Sequence, residues 1–298
     1  MLKRILLQCL VPVVTCCFIT TAYAQGISYS LDKSKVRALL PPGGSQSGAI
    51  KVYSQTNDTL KFKVYFEDWI YEKIQDGAKE FMPANTSAFT CATWIQFNPA
   101  EFTLTPYGIQ TVNYVIAVPA DAKGSHVGVM FFETNTADSA GIEIGKSQET
   151  LQSGVGLDIR IGSLFYVDVK GAINRSAELK KFSVTKDSKN KNFIISADLK
   201  NTGDADITTE STYHITDKQG MIYARGKFNP VYTLPGDEAE ISSTWKDSIP
   251  QGTYNIVLTV NLGKAIEEAG LGRGPIMLKE TEIEINSNGE VTKIGTLR

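Results

Sequence analysis

Apolar residues recur at every second position through most of this chain, and that period permits strands and little else. The alternation is strict in Leu60-Lys61-Phe62-Lys63-Val64-Tyr65-Phe66 and again in Val155-Gly156-Leu157-Asp158-Ile159-Arg160-Ile161. Such a segment has one apolar and one polar face, so it belongs in a sheet whose apolar face covers a core. Further strands are expected at 49–53, 94–97, 112–119, 127–133, 164–167, 193–197, 209–215 and 256–260, with 277–285 as the last. Asn57-Asp58, Asn98-Pro99, Lys218-Gln219-Gly220 and Pro235-Gly236-Asp237 punctuate the runs as turns, because these residues supply the special backbone angles or local hydrogen bonds that turns need. Residues 73–90 read as irregular, and the helical pattern is confined to a turn or two around 264–269. Many short strands separated by turns indicate sandwiches or barrels.

A chain of 298 residues is long for one sandwich and fits two. The Gly-containing stretch 171–177 reads as a linker, so the expected fold is all-β, with two immunoglobulin-like β-sandwich domains in tandem, 25–170 and 171–298. A leader is expected ahead of them. Lys3 and Arg4 precede a mostly apolar run, and Ala22-Tyr23-Ala24 fits a small-x-small cleavage site, which makes 1–24 a signal peptide. Pro12 interrupts the apolar run, which is short for a membrane span. Cleavage would remove Cys9, Cys16 and Cys17 and leave Cys91 alone, so each sandwich is expected to hold together by packing without a disulfide.

Composition excludes several functions. Thirty basic residues stand against 32 acidic ones, so there is no positive surplus for nucleic acid. The two histidines, His126 and His214, fall in different halves, and no Gly-x-Ser-x-Gly elbow is present. Cys91 lacks a recognisable base and is expected to be a buried, inert thiol. Asn201, Asp204 and Asp206 read as a polar turn, since the twelve-residue calcium-loop pattern is absent. Gly270 to Gly274 lies between strands, which argues against a phosphate loop. No enzyme activity, cofactor or metal is expected.

The first half resembles the N-terminal domain of periplasmic pilus-assembly chaperones of the PapD-like class. Three stretches carry the resemblance: Leu31-Asp32-Lys33-Ser34-Lys35; Trp94-Ile95 through Phe102-Thr103-Leu104-Thr105-Pro106 and the strand after it; and the Val155/Leu157/Ile159/Ile161 alternation ending in Leu164-Phe165-Tyr166. It covers about residues 27–168, and the second half is similar to immunoglobulin-like surface modules in general. The resemblance implies a strand lent to an incomplete partner sheet, with Val155, Leu157, Ile159 and Ile161 as contacts. The same four residues would alternate in this way if they only filled their own domain's core. It also implies two basic residues in the cleft that hold a partner's terminal carboxylate. The first falls at Lys35. The second falls at Ser163, which has no charge, and Arg160, three residues away, should point to the opposite face. The expected role is a non-enzymatic protein of the periplasm or cell surface that binds a protein partner such as a pilin-like subunit. A structural or adhesive surface module is the alternative.

Overall fold

A computed structural model describes residues 28–135, 158–187, 192–246 and 248–298. The expected signal peptide lies outside them. The first domain contains β1 (Tyr29–Leu31), β2 (Lys35–Leu40), β3 (Ser45–Ser54), β4 (Leu60–Tyr71), β5 (Lys79–Pro83), β6 (Ile95–Asn98), β7 (Glu101–Leu104), β8 (Ile109–Ala117), β9 (Ser125–Asn135) and β10 (Asp158–Val169). One sheet has the order β1-β3-β8-β6, and the other β2-β10-β9-β4-β5 with β7 also on β4. Their inward residues, among them Ile50, Val112, Ile116, Phe132 and Phe165, form the core.

The second domain contains β11 (Ala177–Lys186), β12 (Phe193–Asn201), β13 (Ile207–Thr208), β14 (Glu210–Thr216), β15 (Ile222–Lys227), β16 (Tyr232–Thr233), β17 (Glu238–Trp245), β18 (Gly252–Asn261), β19 (Ile276–Ile285) and β20 (Val291–Ile294). Sheets β11-β12-β17 and β15-β14-β18-β19-β20 enclose a second core that includes Ile195, Leu199, Tyr213, Trp245 and Ile256. A short helix, α1 (Lys264–Glu268), follows β18. The chain is thus two tandem β-sandwiches. No helix among the described residues is long and apolar enough to cross a membrane.

Two details differ from the sequence reading. The strand at β19 is not the last, because the Asn286 side chain accepts the N–H groups of Asn288 and Glu290 and turns the chain back into β20. The stretch read as irregular holds β5, an edge strand paired with Trp69 to Tyr71 and their neighbours on β4.

β9 explains why the first domain has more than one apolar cluster. Its run Val127-Gly128-Val129-Met130-Phe131-Phe132 does not alternate, and a strand that is apolar on both sides needs both sides covered. Met130 and Phe132 face the core. Val127, Val129 and Phe131 face outward and join Trp69, Tyr71 and Tyr166, with Leu234 of the second domain, in a separate cluster. Trp94 is in the core, 8% exposed, with its ring tilted against that of His126, the centres 4.0 Å apart. Trp69 is fully buried but in the outer cluster.

The domains meet through buried charge. Arg37 of β2 contacts Asp206 at 3.0 Å and Asp168 at 3.3 Å, while Arg175 of the linker contacts Asp168 at 2.7 Å and Asp206 at 3.2 Å. No side chain of the four is more than 8% exposed. Backbone contacts reinforce the junction. Ser125 N–H donates to Asp204 O, and Tyr232 N–H to Gln75 O. Gly124 has a φ of +76°, and a side chain there would begin 2.6 Å from Asp204 O. Only glycine suits both the angle and the approach.

Cys91 is buried, and burial pushes its thiol pKa up. Iodoacetamide should therefore leave Cys91 unmodified in the folded protein and label it after denaturation, since the thiolate is the reactive form. Rapid labelling without denaturation would contradict this burial.

Candidate functional site

The site begins with an incomplete ladder on β10. The strand pairs with β9 along its whole length, from Asp158 to Asp168. On its other side β2 pairs in parallel, but only from Leu164 to Val169. Leu164 and Lys170 donate to β2 and its lead-in, and Val169 donates toward β9. Backbone groups alternate sides along a strand, so Asp158, Arg160 and Gly162 turn theirs toward the side that β2 does not reach. Among the described residues, no strand pairs with that side of Asp158–Ser163, a length of about 20 Å at ~3.3 Å per residue.

Tyr29 steadies this open segment from within. Its ring packs edge-on against Phe62, 4.8 Å away. Its hydroxyl accepts the Ile161 N–H at 2.9 Å and donates to Phe132 O, with Ile159 O at 3.3 Å. The hydroxyl thus ties β1, in the opposite sheet, to the β9–β10 ladder. Burial pushes its pKa up, so it stays a neutral donor.

Of the residues singled out in the sequence, Val155 and Leu157 lie outside the described residues. Ile159 and Ile161 are half-buried and pack against the core of the first domain. Ser163 is fully buried with the same parity as Ile161 and Phe165, so it faces inward. Arg160 projects from the outer face, as do Lys35 and Tyr166. Its guanidinium lies 4.2 Å from the Phe131 ring and bonds Glu67 at 3.0 Å and Tyr65 at 3.2 Å.

Lys35 is exposed at the first position of β2, opposite Leu164, where the open part of β10 ends. Its Nζ is 5.5 Å from the Tyr166 ring centre. A second cation comes from β5, which the sequence pattern missed. Lys79 Nζ sits 5.2 Å from Trp69 and 5.1 Å from Tyr71 and donates to Gly77 O at 2.7 Å. Burial, and then the charge of Lys35, lower the Lys79 pKa. Trp69 packs edge-on against both Tyr71 and Tyr166, so two cations share one aromatic floor. Like charges held this way gain from a shared anion. No alternation signals Lys79 in the sequence. The available clue is that its neighbours on the floor are tryptophan and tyrosine.

Beyond Lys35 lies a cavity of about 330 Å³ between the domains. The second domain supplies most of its wall, including Ser211, Lys227, Phe228, Tyr232 and Lys264.

No protein-family model matches the chain, and no curated protein matches it. Solved structures are similar to it. The class 5 fimbriae chaperone CfaA aligns with a TM-score of 0.46 at 13% identity, over 84% of this chain and 98% of that one. A chain from a chaperone–tip adhesin complex of CFA/I fimbriae biogenesis gives 0.46 at 14% identity, over 84% and 98%. The E. coli chaperone DraB gives 0.40 at 12% identity, over 85% and 97%.

Proposed function

We propose that this chain is a chaperone-like assembly factor of the periplasm or cell surface, which acts by binding an extended segment of a protein subunit along the open side of β10. One observation carries the proposal: among the described residues, β10 is paired on both sides from Leu164 onward but on one side only before it. An incoming strand there would continue the line of β2. If it runs in the direction of β2, its C-terminal end meets Lys35, and the Lys35–Lys79 pair suits a terminal carboxylate. Its inward side chains would lie beside Ile159 and Ile161, and its main chain would bond to Asp158, Arg160 and Gly162. The sequence resemblance to pilus-assembly chaperones supports the same reading and suggests a pilin-like subunit as the partner.

The test uses ten-residue peptides of alternating valine and threonine with a free C-terminus. Proline at position 160 removes an N–H that faces the open side and leaves the β9 ladder intact. Arg160→Ala should bind the peptide, and Arg160→Pro should fold but not bind. Amidating the peptide, or making the Lys35→Ala/Lys79→Ala double variant, should weaken binding by about tenfold or more, as expected for charge-assisted bonds. Equal binding by Arg160→Pro and wild type would refute strand addition and leave a surface module as the better account.

A further inference from the structure

We infer that the outward face of the larger sheet in the second domain is a self-association surface, on which a second copy of this chain packs face to face about a twofold axis. The surface is independent of the strand-addition reading, which concerns the first domain.

Side chains of directly paired residues point to the same face of a sheet. The ladder β15-β14-β18-β19 therefore sets Arg225, His214, Val257 and Glu280 in one row across the outward face. The row to one side is Lys227, Thr212, Thr259 and Leu278, and the row to the other is Ile222, Thr216, Asn255 and Glu282. The opposite face carries Tyr213, Ile215, Ile256, Leu258 and Ile283, all buried in the domain's core. In these outward rows the positive charge lies on β15 and the negative charge on β19, with uncharged threonine, asparagine, valine and histidine on the two strands between them.

That pattern is complementary to itself. A twofold axis parallel to the face, running along the strands between β14 and β18, lays β15 of one copy over β19 of the other. Arg225 then meets Glu280 of the second copy, and the symmetry forms the same contact twice. Lys227 lies over Leu278 of the second copy, which its aliphatic stem can cover while its amine stays in water. Strands of two sheets packed in this way lie about 30° off parallel. An axis running across the strands would instead set Arg225 on Arg225 and Glu280 on Glu280, so charge selects the first arrangement.

Exposure supports the same surface. Arg225, Glu280 and Glu282 are exposed, and none has an ion-pair partner among the described residues. Ile222 and Leu278 are 54% and 65% exposed, and Ile276, next along the outward side of β19, is 63% exposed. An uncharged centre with large apolar side chains and a charged rim is the anatomy of an interface. Four strands and three rows span roughly 20 Å by 20 Å. That is below the ~800 Å² per partner of a standard interface, so the dimer is weak and reversible.

The experiment is sedimentation velocity on the full chain over a concentration series at low salt. Wild type should form a reversible dimer at about 100 µM, and about 0.5 M NaCl should dissociate it. Arg225→Glu and Glu280→Arg should each weaken association by about tenfold or more, with the melting temperature unchanged, because exposed charges contribute little to folding. An equimolar mixture of the two variants restores both opposite-charge contacts, so it should associate within about threefold of wild type. A merely structural role for either residue does not give that rescue. Wild type that remains monomeric up to about 1 mM would overturn the inference. Undiminished dimerisation by both variants would place the interface elsewhere, and a mixture that stays monomeric would overturn the Arg225–Glu280 contact. Arg225→Glu should bind the β10 peptide as wild type does, so peptide binding and self-association fail or succeed separately.

Discussion

Replacing Asp206 with alanine is expected to cost about 3–5 kcal/mol of stability, the range found when one partner of a buried ion pair is removed. Asp206 contacts both Arg37 and Arg175, and its side chain is 1% exposed. Burial alone would raise its pKa, but the charges and hydrogen bonds of Arg37, with those of Arg175, outweigh burial and lower it. In Asp206→Ala two guanidinium groups share Asp168 alone in a nearly dry junction. Arg37 cannot escape by losing its proton, since a guanidinium stays charged at every accessible pH. The cost should therefore appear in the melting temperature and in a looser angle between the domains by small-angle scattering. The sign with pH follows. A carboxyl held below its ordinary value in the folded state contributes stability that is complete above the unfolded pKa of about 3.9. It is lost as pH falls below that value, because the unfolded chain takes up the proton first. Wild type should thus lose stability below about pH 4 more steeply than Asp206→Asn. Parallel curves would show that Asp206 is not a source of acid sensitivity.

The same residue marks how far the sequence could be read. Period-two alternation was enough to find β4, β8 and β10, because a half-buried strand must show it. Asp206, by contrast, read as part of a polar turn, as aspartate usually is near glycine and asparagine. Its partner Arg37 lies 169 residues earlier, and no local pattern couples positions that far apart. β5 was hidden for a different reason. Lys79, Phe81 and Pro83 share one face, and a lysine and a proline beside the one aromatic residue on it disguise an edge strand. Lys79 was therefore missed along with it, and the second cation was sought at Ser163, on the strand where the resemblance placed it. That side chain faces the core, where a lysine would be buried without a partner. The unbroken apolar run of β9 was the one local sign that the outer face of the sheet is covered, since one-sided burial would have left polar residues at alternate positions.

Trp69→Ala is the second large effect, and it separates stability from binding. Truncating a fully buried tryptophan costs about 3–5 kcal/mol, through lost apolar burial and the cavity left behind. Here the loss has further parts. The indole N–H donates to Gly128 O at 3.0 Å, so truncation also leaves a strand carbonyl short of a partner. Tyr71 and Tyr166 both lean on the ring, and Lys79 sits above it. Trp69 lies in the outer cluster rather than between the sheets. The first domain's own core should therefore survive better than it would after truncating Phe132 or Phe165, while the cleft floor collapses. Trp69→Ala should lower the melting temperature and also weaken the carboxylate-terminated peptide at temperatures where the variant remains folded. Trp69→Phe, which keeps a ring under Lys79 and loses the bond to Gly128, should recover most of the binding and only part of the stability. Peptide binding by Trp69→Ala equal to wild type, measured on folded protein, would mean that the aromatic floor plays no part in holding the anion.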